Sequence, residues 1–381
     1  MVSFKPNQRT LHTVTLINDK LYIIGGNSST GMLNDFFYLD VSASFNTQNL
    51  SWVDLSSTNA IVPQHYGAAS VKGGANNDTL FLYGGFTTEL RSPLYTFDTQ
   101  TNLWNIPTMA KNIPRKSFLT GIIDNNGKMY LWGRLKGALR GPNDMLIIDT
   151  INLSLSSKMG SLSDAPILRY NYGATLLPNN NIIYMGGFYV GNLTVFPLDT
   201  VHIYNTINNS WYSQITTGKV PSSRDGFSVI LGLDGQSVII FGAPNLTSED
   251  TLYELNLSNF EWYIPKISNT SQIPKGRTYH KANIIGKYMV ISFGFGYDQS
   301  ESDILLLDIS NKDEYVWSNT FEPPVIPVKS VQAKNFTGII IGSSIGITLL
   351  SFGGLFILYK WNKKKQKQKN LASIPHILSD C

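Results

Sequence analysis

The sequence predicts an all-β fold, a radial propeller of six four-stranded blades, followed by a single transmembrane α-helix. A segment that ends in glycine recurs six times, at intervals of roughly 50 residues, and 22 consecutive residues near the C-terminus carry no charge. The composition agrees, because only 15% of the residues are charged while Gly, Asn, Ser and Thr are plentiful. This mixture favours strands and turns over long surface helices.

The repeated segment is an apolar run that leads into one or two glycines. Its clearest copies are "LYIIGG", "LFLYGG" and "IIYMGG", and its degraded copies are "MYLWGR", "VIIFGA" and "MVISFGFG". The first glycines, separated by 59, 49, 53, 56 and 52 residues, are Gly25, Gly84, Gly133, Gly186, Gly242 and Gly294. A phosphate-binding loop does not recur six times, so we interpret the glycines as tight turns at the ends of buried strands.

Downstream of each glycine, an alternating apolar segment ends in Asp or Asn, and a tryptophan usually follows after a short turn. In the clearest copies the tryptophan lies six positions after the Asx residue: Asp98 and Trp104, Asn205 and Trp211, Asn256 and Trp262. The first and sixth units have longer turns, and the third has Leu155 at the tryptophan position. An Asx side chain opens a hairpin turn by bonding its own backbone, so the spacing predicts two strands joined by a turn.

Upstream of each glycine, another predicted strand begins with Arg-x-x followed by an aromatic residue or histidine. The copies are "RTLH", "RKSF", "RYNY", "RDGF" and "RTYH", whose arginines are Arg9, Arg115, Arg169, Arg224 and Arg277. The second unit has Pro63 at the arginine position and Tyr66 at the aromatic position. Six units of four short strands each indicate a propeller.

These motifs together resemble the kelch repeat of the galactose oxidase and kelch propeller superfamily. The resemblance extends over about residues 9 to 320 and implies a six-bladed propeller. Galactose oxidase itself needs a cysteine cross-linked to tyrosine beside histidine ligands, whereas the one cysteine of this chain is its last residue, Cys381. We therefore expect neither copper-radical chemistry nor any other cofactor, and no enzymatic activity. A non-copper propeller enzyme acting on sugars remains an alternative.

Three histidines, His12, His65 and His280, lie near the starts of predicted inner strands in adjacent blades. Converging neutral imidazoles can bind a metal or transfer protons. Two of them, His12 and His280, occupy the position that aromatic residues fill in other units, so packing is the preferred interpretation.

The arginines predict a binding surface on one face, here called the rim. Because the first strand runs away from this face and the second returns to it, the arginines share it with the loops that follow the glycines. The expected binding residues are Arg9, Arg115, Arg169, Arg224, Arg277, Arg134 and Tyr189. Guanidinium groups suit carboxylate partners, and the resemblance implies acidic peptides or protein loops. Alternatively, the arginines bond backbone carbonyls and hold the blades together.

The net charge of +4 arises from the C-terminal tail. Without the six lysines and one acid after Tyr359, 24 basic and 25 acidic residues remain, a net charge of −1. A broadly basic surface for nucleic acid is therefore not expected.

The uncharged segment 338–359 is long enough to cross a bilayer as a helix, and the lysines after it orient the tail to the cytoplasm. The expected domains are the propeller at 1–320, a Pro-containing linker at 321–337, the transmembrane helix at 338–359 and a Lys-rich tail at 360–381. Three glycines spaced four residues apart in the helix, Gly338, Gly342 and Gly346, suggest a homodimer.

The propeller is expected on the extracellular or lumenal side, where Asn-x-Ser/Thr sequons can be glycosylated. The candidates, all before the apolar segment, are Asn27, Asn49, Asn77, Asn152, Asn192, Asn208, Asn245, Asn256, Asn269 and Asn335. The N-terminal residues show no apolar signal segment, so the alternatives are a signal encoded upstream or a tail-anchored scaffold with a cytosolic head. The leading hypothesis is a membrane-anchored module that recognises a protein or glycan.

Overall fold

The described part of this computed structural model covers residues 4–89, 91–133, 145–158, 165–242, 250–269, 272–298 and 301–324. These residues form six blade sheets, each built from one contiguous stretch of chain: five are four-stranded and antiparallel, and the fifth blade adds a short parallel strand to its four antiparallel ones. The predicted all-β, six-bladed propeller is therefore confirmed. Its compact unit ends at Pro324.

The first three blades follow one another along the chain. Blade 1 and its loops contain β1 (Thr13–Ile17), β2 (Lys20–Ile24), β3 (Asn27–Ser28), β4 (Gly31–Met32), β5 (Phe36–Asp40), β6 (Phe45–Asn46) and β7 (Trp52–Asp54). Blade 2 contains β8 (Tyr66–Gly73), β9 (Thr79–Phe86), β10 (Leu94–Asp98) and β11 (Leu103–Asn105). Blade 3 contains β12 (Ile122–Ile123), β13 (Lys128–Trp132), β14 (Met145–Asp149) and β15 (Ser154–Lys158). Short 3-10 helices precede blades 2 and 3, at Ser56–Thr58 and Thr108–Asn112.

The last three blades repeat the plan. Blade 4 contains β16 (Gly173–Leu176), β17 (Asn181–Met185), β18 (Phe188–Tyr189), β19 (Thr194–Val195), β20 (Thr200–Asn205) and β21 (Ser210–Ile215). Blade 5 contains β22 (Thr217–Gly218), β23 (Ser228–Leu231), β24 (Ser237–Phe241), β25 (Leu252–Asn256) and β26 (Glu261–Tyr263). Blade 6 contains β27 (Lys281–Ile285), β28 (Tyr288–Ser292), β29 (Ile304–Asp308) and β30 (Val316–Ser318), and β31 (Thr320–Phe321) follows it.

The first strand of each blade is the innermost. The strands β1, β8, β12, β16, β23 and β27 lie at one edge of their sheets and contact each other in a closed circle. They surround a central channel. The second strands are almost completely apolar and buried, so the main hydrophobic layers lie between neighbouring blades.

The hairpin between the third and fourth strands forms as predicted. Trp104, Trp211 and Trp262 are buried on fourth strands, opposite Phe97, Tyr204 and Leu255 respectively. Leu155 occupies the same register in blade 3, opposite Ile148. In every blade the Asx at the end of the third strand accepts the backbone N–H two residues ahead, with distances of 2.8–3.0 Å, from Asp40, Asp98, Asp149, Asn205, Asn256 and Asp308.

A ring of backbone hydrogen bonds surrounds the rim end of the channel. In each blade, one residue near the start of the inner strand donates its N–H to the equivalent carbonyl of the preceding blade, at 2.6–2.9 Å. Every member has a positive φ between 53° and 67°, and the members are Leu11, Gly67, Phe118, Asn171, Gly226 and Tyr279. This backbone conformation is uncommon for residues other than glycine. We call this circle the backbone ring.

Where the first and last blades meet, neither four-stranded sheet includes a strand from the other end of the chain. At this seam β31 pairs with β6, and the rings of Phe45 and Phe321 stack with centroids 4.7 Å apart. The Thr47 N–H donates to the Asn319 carbonyl at 2.8 Å. Phe321, assigned to the linker from sequence, therefore belongs to the propeller.

The described residues contain no helix that is long and apolar enough to cross a bilayer. The segment 338–359, with its three spaced glycines, lies outside the described residues.

Candidate functional site

Four rim arginines are buried, and each bonds within its own blade. Their Nη1 atoms donate to the carbonyl just after the second strand, at 2.8–3.4 Å: Arg9 to Gly25, Arg169 to Gly186, Arg224 to Gly242 and Arg277 to Phe293. Each guanidinium also lies over an aromatic ring, at 3.7–5.3 Å from its centroid: Phe37, Phe196, Tyr253 and Tyr297 respectively. These guanidinium groups therefore fix the turn at the end of the second strand within one blade, whereas the structural alternative considered from sequence had them hold neighbouring blades together.

Two of these arginines are also ion-paired. The distance from Nη2 to a carboxylate oxygen is 2.5 Å for Arg9 and Asp35 and 2.7 Å for Arg224 and Asp250. The other two are buried without a paired carboxylate in the described residues, and burial lowers the pKa of Arg169 and of Arg277 to about 10. They remain cationic at neutral pH, so their charge is stabilised mainly by carbonyl dipoles and aromatic faces.

The sequence alignment of "RKSF" with the other arginine motifs is wrong by one residue. The Lys116 carbonyl accepts the N–H of Gly85 at 3.0 Å, as the Arg224 carbonyl accepts that of Gly187 at 2.9 Å. Lys116, not Arg115, therefore occupies the buried position, and its Nζ donates to the Leu131 carbonyl at 3.3 Å. The backbone, rather than the side-chain pattern, sets this register.

The half-buried Arg115 instead reaches back to blade 2. Its guanidinium donates to the Gly84 carbonyl at 3.1 Å and to the Ser92 carbonyl. By the same backbone register, His65 rather than Pro63 occupies the arginine position of blade 2, because its carbonyl accepts the Gly26 N–H at 2.8 Å.

The three histidines are buried as packing groups. His12 contacts the Phe293 ring edge and His280 contacts Phe241, at centroid distances of 5.3 and 5.4 Å. His65 bonds the Pro63 carbonyl through Nδ1 at 2.8 Å. Burial lowers the pKa of all three, that of His280 to about 3. Within the described residues no group of three or more His, Cys, Asp or Glu side chains could hold a metal ion.

The rim face carries a cleft at the seam between blades 6 and 1, with a volume of about 1020 Å³. The loop after β28 forms one wall with Phe295 and Tyr297, and the segment before β1 forms another with Phe4 and Lys5. The Phe295 side chain is 62% exposed, although it is a large aromatic. An exposed aromatic on the wall of a large cleft is a typical anchor for a partner.

Carboxylates line the same wall of this seam cleft. Asp303 accepts the Tyr297 hydroxyl at 2.6 Å, and burial raises the pKa of Asp303. Asp298 pairs with Lys275 at 3.0 Å, yet both side chains are mostly exposed. Glu301 is the third carboxylate that lines this wall.

Besides the seam cleft, the rim carries the β18–β19 hairpin of blade 4. Tyr189 lies half-buried on β18, and a Cβ at Gly191 would lie 2.5 Å from its Cζ atom, so the ring folds over this glycine. Leu193, near the tip, is 74% exposed and has a φ of 56°. Tyr189 thus lies on the rim, and its role in binding stays a prediction; Arg134 lies outside the described residues.

The described sequons lie on loops and strand ends. Six asparagines are exposed, Asn49, Asn77, Asn152, Asn192, Asn208 and Asn269, and two are half-buried, Asn27 and Asn256. Asn27 and Asn49 line the seam cleft. Asn245 and Asn335 lie outside the described residues.

Comparison with known proteins agrees with this architecture. The sequence matches the KLHDC2/KLHL20/DRC7 Kelch-repeats domain over residues 42–243 and 191–354, most of the chain. The chain belongs to this Kelch-repeat family.

Relatives of this Kelch protein include the Leucine-zipper-like transcriptional regulator 1 homolog of Drosophila melanogaster, 24% identical over 77% of this chain and 30% of the relative. Host cell factor 2 of Homo sapiens is 23% identical over 65% of this chain and 32% of its own length. The Rho GTPase-activating protein gacHH of Dictyostelium discoideum is 30% identical over 37% of this chain and 10% of its own. The matched regions thus span about a third or less of these relatives.

Proposed function

We propose that this Kelch propeller is a non-catalytic recognition module that binds a protein segment in the seam cleft. The observation that carries the proposal is the exposed Phe295 on the wall of a cleft of about 1020 Å³. An aromatic side chain supplies a large apolar contact at low entropic cost, which favours a protein partner over a wholly polar ligand. One relative is named a transcriptional regulator and another a host cell factor, and neither name denotes an enzyme.

The charge of the seam cleft defines the partner further. The acidic partner expected from sequence required exposed guanidinium groups, but Arg9 is buried and paired with Asp35. The accessible charges are instead the carboxylates of Asp298 and half-buried Glu301, which outnumber the one exposed cation on the cleft wall, Lys5. The partner segment therefore carries an apolar residue that packs on Phe295 and a basic residue that faces these carboxylates.

Site-specific photo-crosslinking in cells tests this proposal. A photoreactive amino acid at position 295 of the full chain is expected to give discrete adducts with a partner, while the same group at the exposed Leu103 of blade 2 gives none. Co-precipitation of the crosslinked partner should be lost in Phe295→Ala and kept in Leu103→Ala. Equal adducts at both positions, or equal co-precipitation by both variants, would contradict the proposal.

The module is further proposed to be held at a membrane by segment 338–359, with the propeller on the extracellular or lumenal side. The support is the uncharged length of this segment, the lysines after it and the sequons before it. Digestion of the cellular protein with peptide-N-glycosidase should increase its mobility on a gel. An unchanged mobility, together with membrane association, would favour the tail-anchored alternative with a cytosolic head.

A further inference from the structure

The β18–β19 hairpin connects the second and third strands of blade 4 at the rim, and its tip is apolar. The two short strands pair with each other, so residues 190–193 form the tip. Leu193 is 74% exposed, and Val190 is exposed as well. Residues 188–198 read "FYVGNLTVFPL" and carry no charge. The tip thus presents two aliphatic side chains on an uncharged support.

The base of this hairpin is fixed to the propeller. Phe188 exchanges two backbone hydrogen bonds with Tyr170, at 2.8 Å each. The Phe196 N–H donates to the Gly187 carbonyl at 2.8 Å, and the Phe196 ring lies against the buried Arg169 guanidinium, 3.7 Å from the ring centroid. The tip is therefore held on a defined support, which reduces the conformational entropy that is lost when a partner binds.

The fold gains little from a leucine at position 193. Most of its side chain lies in solvent, and its φ of 56° is a backbone conformation that favours glycine or asparagine. The β3–β4 hairpin connects the same two strands in blade 1, and it has the exposed residues Ser29 and Thr30 between its strands. A polar tip therefore suits such a hairpin, and folding does not require the aliphatic tip of blade 4.

The chemistry of the tip favours a pocket on a protein surface. A leucine beside a valine matches a small apolar pocket, where burial of the side chains drives association. Nucleic acids and anionic lipid headgroups are bound mainly through Lys and Arg, and residues 188–198 contain neither. Two aliphatic side chains alone bury too little area to hold the protein on a bilayer.

We propose that the blade 4 tip, formed by Val190 and Leu193, inserts into an apolar pocket of a protein partner. This contact goes beyond the proposed binding in the seam cleft, because blade 4 lies across the channel from the seam between blades 6 and 1. At the tip the partner supplies the pocket, whereas at the seam the partner segment enters a cleft of the propeller.

Site-specific photo-crosslinking in cells, with the photoreactive amino acid at position 193 of the full chain, identifies the partner. Position 207 is the control, because Ile207 is 77% exposed but lies in the β20–β21 turn, at the opposite end of blade 4. Position 193 should give a discrete protein adduct that is absent from position 207. No adduct, adducts with lipid alone, or the same adduct from both positions would overturn the proposal.

Leu193→Asn tests the contact with the partner after its purification. The affinity of the full chain in detergent should fall about tenfold or more, because leucine no longer enters the pocket, whereas Ile207→Asn should bind as the wild type does. The melting temperature of Leu193→Asn should be equal or higher, since asparagine tolerates the positive φ. Equal affinities of the two variants, or a lowered melting temperature of Leu193→Asn, would contradict the proposal.

The sequon at the tip provides an independent check. Asn192 is exposed beside Leu193, so a glycan on it would cover the proposed contact. Peptide mass spectrometry should find Asn192 unmodified in the chain that is captured with the partner, and a glycan there would overturn the proposal. Capture at position 193 is measured separately from capture at position 295, so the failure of one proposal is distinguished from the failure of the other.

Discussion

The backbone N–H of Leu11, before blade 1, donates a 2.9 Å hydrogen bond to the carbonyl of Tyr279, before blade 6. This bond completes the backbone ring with the residues most distant in sequence. Since no strand is exchanged between the two blades, the bond is one of few backbone connections across the seam.

Leu11→Pro should open the backbone ring at this point. Proline has no N–H, and its φ near −65° conflicts with the φ of 55° at Leu11. We expect a loss of about 3 kcal/mol in the free energy of unfolding, measured by chemical denaturation. Leu11→Gly keeps the N–H and tolerates positive φ, so it should change stability by less than about 1 kcal/mol. Equal effects of the two variants would show that the ring bond is unimportant.

Arg224→Ala should destabilise the propeller rather than remove a contact with a partner. It leaves Asp250 and the Gly242 carbonyl without their donor, so a loss of about 3–5 kcal/mol is expected. Arg224→Lys should not restore stability, because an ammonium group cannot reproduce the planar set of donors. A variant with unchanged melting temperature and lost partner binding would favour the original rim hypothesis.

His280→Phe should make the protein less sensitive to acid. The pKa of His280 is lowered to about 3 by burial and by nearby Arg277 and Lys281, whereas an exposed histidine titrates near 6.5. Between these values only the unfolded chain binds the proton, so native stability falls as pH drops through this window. The wild-type slope should exceed that of the variant by up to about 1.4 kcal/mol per pH unit. Phenylalanine already fills the equivalent position at Phe227, and denaturation at pH 4, 5 and 7 measures the difference.

Trp262→Ala should cost about 3–5 kcal/mol, because it removes a buried side chain and the hydrogen bond from Nε1 to the Leu198 carbonyl. Ile207→Ala, at a side chain that is 77% exposed, should change stability by less than about 0.5 kcal/mol. Urea denaturation followed by circular dichroism compares them. Similar small losses for both would mean that the outer strand is not part of the cooperative core.

Local patterns were sufficient to predict the blades. The turn at Asp98 and the burial of Trp104 depend on residues within one hairpin, so their spacing is preserved in the sequence. The same holds for Leu155, whose register opposite Ile148 follows from the distance to Asp149.

Contacts between blades could not be predicted in this way. Arg115 and Lys116 are adjacent, and only the hydrogen bond from Gly85 of the preceding blade shows which one is buried. The seam cleft was missed for a similar reason, because Phe295 meets residues near the start of the chain only after the circle closes.

The contiguity of each blade has a consequence for synthesis on the ribosome. Blades 1 to 5 can each complete their sheets as soon as their own residues emerge, because their strand pairs are local. The seam-facing apolar side of blade 1, with Leu21 and Phe37, has no partner until Val290 and Phe321 of the last segment arrive. The nascent chain therefore exposes this apolar surface for most of its translation. Its protection from aggregation during that interval depends on chaperones or on the speed of elongation.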